Sequence, residues 1–105
     1  MVDIHVIQRH CEDNRIRITK HAAYRIEERG ISFDQIKSGI MNGEIIEEYP
    51  TDFPNPSVLL LGYTSGNPLH IVVGISDMGI QLITAYHPSD VKWEADFRTR
   101  KEGKL

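Results

Sequence analysis

A chain of 105 residues with 40% hydrophobic and 26% charged side chains is long enough to bury somewhat more than ~60% of its unfolded surface in one core, and too short to build two. No apolar run nears the ~20 residues that span a bilayer, and no basic leader precedes an apolar block, so the expectation is a chain that is neither inserted nor exported. A net charge of −3 argues against general attraction to duplex nucleic acid, and the lone Cys11 excludes an internal disulfide and fits a reducing cytoplasm.

In chain order, Val2, Ile4, Val6, Ile7 and Cys11 predict a short amphipathic helix over 2–12, although the alternation of Val2, Ile4 and Val6 also permits a strand. Residues 14–18 read as an extended link, with Ile16 and Ile18 on one side and Arg15 and Arg17 on the other. A second helix follows. Thr19 can cap its start, and Gly30 can close its end in a left-handed conformation that a Cβ would oppose. Ala22, Ala23 and Ile26 form its narrow packing arc. Ser32-Phe-Asp-Gln35 has the form of a capping box, opening a third helix whose stripe is Phe33, Ile36, Ile40 and Met41 and which ends at Asn42-Gly43.

Beyond Gly43 the period changes from helical to extended, and strands are predicted over 44–49, 58–63, 69–75 and 80–86. A loop with three prolines, 50–56, separates the first pair; the later links are of hairpin length. A final short helix capped by Ser89 or Asp90 would carry Val91, Trp93 and Phe97 and lead to Arg98 and Arg100, with 101–105 as a frayed tail. The fold class expected is therefore α+β: N-terminal helices, a four-stranded antiparallel meander with the helices on one face, and a short C-terminal helix.

The densest chemistry lies in the second helix, where His21, Arg25 and Arg29 stand at i, i+4 and i+8 and form a slanting stripe. An imidazole beside two guanidiniums can move a proton and hold a phosphate; the same arginines can equally pair with Glu28 or with acids elsewhere. His70 alternates onto the less apolar side of its strand, either as a half-buried ring satisfied by a carbonyl or carboxylate or as an acid–base group. An even-numbered loop after that strand would set it opposite Ala85, a three-residue one opposite Thr84. Tyr86 ends the last strand and can offer a phenol to phosphate. Glu44, Glu47 and Glu48 include a possible base or simply protect an edge strand. No Cys or His pair stands at zinc-ligand spacing and no phosphate loop or nucleophile elbow occurs, so neither cofactor nor metal is expected.

The runs His21-Ala22-x-x-Arg25-x-x-x-Arg29-Gly30-Ile31, Gly43-Glu-Ile-Ile-Glu-Glu-Tyr-Pro50, Pro68-Leu-His-Ile-Val-Val73, Thr84-Ala-Tyr86-x-Pro88 and Trp93-x-x-Asp96-Phe-Arg98-x-Arg100 resemble a small bacterial and archaeal family named only as a domain of unknown function. That family looks distantly similar to the RelE, ParE and BrnT toxins. The resemblance implies a RelE-like scaffold, an RNA substrate and a cognate antitoxin, either a small zinc-finger or a helix-turn-helix protein. It carries His21, Arg25, Arg29, His70 and Tyr86 over as catalytic candidates, with Arg25, Arg29, Arg98 and Arg100 against RNA. The leading expectation is a metal-independent endoribonuclease in which the ribose 2′-OH attacks the adjacent phosphate. The other is a noncatalytic toxin-fold module that binds a protein or nucleic acid.

Overall fold

The computed structural model describes residues 2–102. Three helices come first, α1 (Ile4–Glu12), α2 (Lys20–Glu28) and α3 (Phe33–Met41), with a short strand, β1 (Ile16–Ile18), between α1 and α2. Then come β2 (Glu44–Tyr49), β3 (Ser57–Thr64), β4 (Asn67–Ser76) and β5 (Gly79–Tyr86). The helix boundaries follow the predicted caps. Thr19 accepts from the backbone N–H of Ala22, and the Ser32 and Gln35 side chains make the reciprocal capping box. Gly30 takes a φ of +68°, and the N–H groups of Gly30 and Ile31 reach back to the carbonyls of Glu27 and Ile26, closing α2 in a Schellman motif. Only Ala22 and Ile26 of α2 are buried, and in α3 Phe33 and Met41 lie at the surface while Ile36, Gly39 and Ile40 face inward.

The sheet corrects the expected four-stranded antiparallel meander. It has five strands in the order β1-β5-β4-β3-β2, and β1 runs parallel to β5 with Ile16, Arg17 and Ile18 beside Ile80, Gln81 and Leu82. The link over 14–18 is thus an edge strand. Its three residues are too few to announce a strand alone, and their partner lies more than sixty residues away in the chain. The class remains α+β, with a mixed sheet.

Residues directly opposite one another share a face, and the register sorts the sheet cleanly. Val58, Leu60, Leu69, Ile71, Val73, Ile80, Leu82 and Ala85 join Ile7, Cys11, Ala22, Ile26, Ile36 and Ile40 in the core beneath the helices. α3 comes so near β3 that a Cβ on Gly62 would stand 2.1 Å from the Gly39 carbonyl oxygen. The opposite face carries Leu59, Leu61, His70, Gly74 and Tyr86.

The expected C-terminal helix is also corrected. Residues 89–100 form turns and one bridge between Trp93 and Arg100. The Asp96 carboxylate takes the backbone N–H groups of Arg98 and Thr99, each at 2.9 Å, so this side chain competes with helical hydrogen bonds and wins. Those bonds also hold the Asp96 carboxyl below its ordinary value. Lys101 of the expected frayed tail donates its N–H to the Lys92 carbonyl; residues 103–105 lie outside the described residues. Among the described residues no helix is long and apolar enough to cross a membrane.

Candidate functional site

The helix-free face of the sheet gathers the polar groups. The hairpin from β4 to β5 turns on two residues, Asp77 and Met78, which by itself would set His70 opposite Ala85. An irregularity inserts Ile83 between the Val73–Leu82 and Val72–Thr84 pairs, and the extra residue moves His70 opposite Tyr86. Both expected registers, with Ala85 and with Thr84, are corrected by this one bulge. It turns Ala85 into the core and the Tyr86 phenol toward the His70 side of the sheet.

His70 is 0% exposed. Its Nε2 lies 2.7 Å from the Phe97 carbonyl oxygen, which can only accept, so this nitrogen carries the hydrogen and Nδ1 is the acceptor. The Tyr86 hydroxyl stands 3.4 Å from Nδ1, a long contact in the direction of donation. Burial pushes the His70 pKa down, against the Phe97 hydrogen bond and the Glu47 charge, which push it up. The resident form is the neutral ring. Phe97 holds a φ of +55°, a conformation that costs a non-glycine residue about 1 kcal/mol or more, and the Asp96 turn fixes it there.

Around this pair the side chains stack. Trp93 meets the His70 ring edge-on with centroids 4.5 Å apart, and the Arg100 guanidinium lies over the Trp93 ring, 4.5 Å from its centroid. Arg100 also donates to both Glu47 oxygens, at 2.6 and 3.0 Å, and Tyr49 donates its hydroxyl to the same carboxylate. The Arg100 hydrogen bond holds the Glu47 carboxyl below its usual range, while burial and then the Glu47 hydrogen bond push the Tyr49 phenol up to about 12.

Arg29 arrives from the other direction. β1 pairs with β5 only as far as Leu82, so the outer edge of β5 is free of a strand beyond it. There the Arg29 Nη1 donates to the Thr84 hydroxyl at 3.0 Å and to the Ala85 carbonyl at 2.9 Å. Burial raises the Tyr86 pKa, and the charges of Arg100 and Arg29 both oppose it. Tyr86, only partly buried, therefore has a neutral imidazole behind it and feels the positive charge of both guanidiniums.

The structure thus brings together Arg29, Glu47, His70, Tyr86 and Arg100 of the expected residues, and adds Tyr49 and Trp93. It does not bring His21 or Arg25 to them. His21 is exposed and lies eight residues before Arg29, about 12 Å along the helix axis. Arg25 faces Glu28 at 3.8 Å, the pairing weighed in the sequence. Arg98 pairs with Glu44, and His87 with the Pro68 carbonyl at 2.9 Å. The signal for Glu47 and Tyr49 was their i, i+2 spacing on one strand face; nothing local tied Trp93 to His70 across twenty-three residues. Among the described residues no cluster of His, Cys, Asp and Glu is placed to hold a metal ion.

The chain is thus an α+β protein whose polar cluster sits on the face of the sheet opposite its helices. Residues 18–87 match the family described as Domain of unknown function (DUF4258), and the chain belongs to that family. The matched span runs from the end of β1 past β5 and includes Arg29, Glu47, Tyr49, His70 and Tyr86; Trp93, Phe97 and Arg100 lie beyond it. No curated protein and no solved structure matches the chain.

Proposed function

We propose that this chain is a metal-independent endoribonuclease of the toxin–antitoxin type. The observation that carries the reading is the Tyr86 hydroxyl, set against Nδ1 of the neutral, fully buried His70 and influenced by both Arg29 and Arg100. In the proposed step a ribose 2′-oxygen forms a bond to the adjacent phosphorus as the bond from phosphorus to the 5′-oxygen breaks. The Tyr86 oxygen takes the 2′-OH proton while His70 Nδ1 takes the phenol proton. The same relay returns a proton to the departing 5′-oxygen, leaving a 2′,3′-cyclic phosphate and a 5′-hydroxyl. Arg29 and Arg100 face the charge that builds on the phosphate oxygens.

The motif resemblance to RelE, ParE and BrnT toxins supports the same reading. A small zinc-finger or helix-turn-helix antitoxin would then be the partner, and the single thiol, Cys11, suits the cytoplasm. The test is cleavage of single-stranded RNA in the presence of a chelator. Wild-type cleavage that collapses in Tyr86→Phe, with a cyclic phosphate at the new end, is the expected result. Absence of cleavage by folded wild-type protein, or equal cleavage by Tyr86→Phe, would end the proposal.

One observation favours the noncatalytic alternative: both His70 nitrogens have partners inside the protein and the ring has no contact with solvent, as in a purely structural histidine. Growth separates the two readings. Arrest on expression that is relieved by the neighbouring gene supports the toxin, whereas unaffected growth with a stable complex supports an interaction module.

A further inference from the structure

On the helix-free face, two rows along the sheet from His70 and Tyr86, Arg17, Gln81 and Gly74 lie side by side on β1, β5 and β4. The loop between β2 and β3 overhangs this row. Two open hollows of about 260 and 330 Å³ meet there and share Asn55, Gly74 and Gln81 as walls, each near the lower end of the ~300–1,000 Å³ usual for small-ligand sites. We infer that this groove is a subsite for single-stranded RNA, seating a base on Phe53 and the attached phosphate against Arg17. The inference rests on the proposed substrate class and deepens it.

Four features point to that ligand. Phe53 lines the groove yet is 94% exposed, an aromatic face with no packing duty, and every base has a π-face to lay on one. Asn55 and Gln81 present amides, each able to donate and accept, which suits the edges of an unpaired base. Gly74 leaves the floor without a side chain, although a Cβ there would make only ordinary contacts, 3.7 Å from the Ile83 side chain. The charges are divided along the groove. Arg17 and Arg15 stand at the β1 end, with no ion pair among the described residues, while Asp52 lies at the Phe53 end. A phosphate is thus drawn to the β1 end, and the carboxylate end accepts only the N–H groups of a base.

The groove also points at the site. His70 and Gly74 are four residues apart on the same face of β4, about 13 Å, and the partly exposed Tyr86 lies opposite the buried His70, so one extended strand of RNA can lie along β4 and β5 and reach from the groove to Tyr86.

Binding is measured apart from chemistry, using a fluorescent single-stranded oligonucleotide whose 2′-oxygens are methylated so that it cannot be cleaved. Phe53→Ala should weaken binding by roughly 5- to 150-fold, the worth of one stacked base. Arg17→Gln should lower the slope of log affinity against log salt by about 0.7, one phosphate contact. Wild-type affinity in Phe53→Ala together with an unchanged salt slope in Arg17→Gln overturns the inference, as does a wild-type chain that leaves the oligonucleotide free. If the groove variants lose binding in a protein that cleaves nothing, the subsite stands and the nuclease reading alone falls.

Discussion

Two histidines stand in contrasting surroundings. His21 belongs to the stretch where acid–base and cationic residues crowd closest in sequence, yet it sits on the outer surface of α2, a helix that buries only Ala22 and Ile26. His70 lies in an apolar-looking strand, yet it is the ring around which Glu47, Tyr86, Trp93, Phe97 and Arg100 assemble. The contrast teaches that spacing along a helix creates a stripe, whereas a site needs groups arriving from different directions. Here four separate parts of the chain supply them: α2, β2, the β4–β5 hairpin and the C-terminal turns.

The largest expected effect tests that contrast directly. Tyr86→Phe removes one oxygen atom and leaves the ring packing intact, so turnover of RNA should fall by ~10² to 10⁴-fold while the melting temperature hardly moves. Single-turnover cleavage by folded variants measures it. If His21→Ala loses more activity than Tyr86→Phe, the helix stripe is the working site and the sheet cluster is structural.

Next in size is the stability held by His70. Truncation in His70→Ala leaves a cavity against Trp93 and a Phe97 carbonyl without its donor, and should cost about 3 kcal/mol in urea unfolding. The pH dependence has a definite sign. Burial lowers the folded-state pKa below the ordinary 6.5, so the unfolded chain takes the proton first. Stability from the neutral ring is complete above pH 6.5 and is lost as the pH falls from there through the lowered folded value. His70→Gln, which cannot titrate, should flatten the unfolding curve across that window. Glu47 acts in a lower one, beneath its ordinary 4.5, where protonation of a carboxylate held by Arg100 removes stability.

Local features of the fold were legible because their causes are local. The Thr19 cap, the Ser32–Gln35 capping box and the left-handed Gly30 each depend on a few neighbouring residues, and strands β2 to β5 announce themselves by the change from helical to extended period beyond Gly43. Features that depend on distant partners were not. β1 exists because β5 offers it a parallel edge, and the His70–Tyr86 pairing depends on a bulge at Ile83 that no residue there advertises. At the C-terminus the helical spacing of Trp93 and Phe97 is real, but Asp96 redirects the backbone and the Trp93–Arg100 bridge completes the turn. His70 and Tyr86 were therefore visible as residues, and their partnership was not.

A smaller effect attaches to the clamp that closes the cluster. Arg100 grips Glu47 with two hydrogen bonds and lies over Trp93, but its side chain is about half exposed, so solvent screens much of the attraction. A double-mutant cycle of Glu47→Gln and Arg100→Gln should give a coupling of about 1 kcal/mol, reduced in high salt. A coupling near zero would mean that the C-terminal turns are held mainly by Trp93 and the Asp96 hydrogen bonds.

The smallest effect is the one that isolates the outer edge of α2. Arg25 meets Glu28 at 3.8 Å with both side chains nearly half exposed, and His21 has no hydrogen bond or ion pair among the described residues. Substituting either by alanine should change stability by no more than about 0.5 kcal/mol, because alanine keeps the helix propensity and no buried group loses a partner. Arg29, four residues further on, differs in that its guanidinium satisfies the Ala85 carbonyl at 2.9 Å. Arg29→Ala should therefore destabilise the protein by roughly 1 kcal/mol more than Arg25→Ala, measured side by side in urea. Equal losses would mean that Arg29 belongs with the exposed stripe of α2 and contributes nothing to the edge of β5.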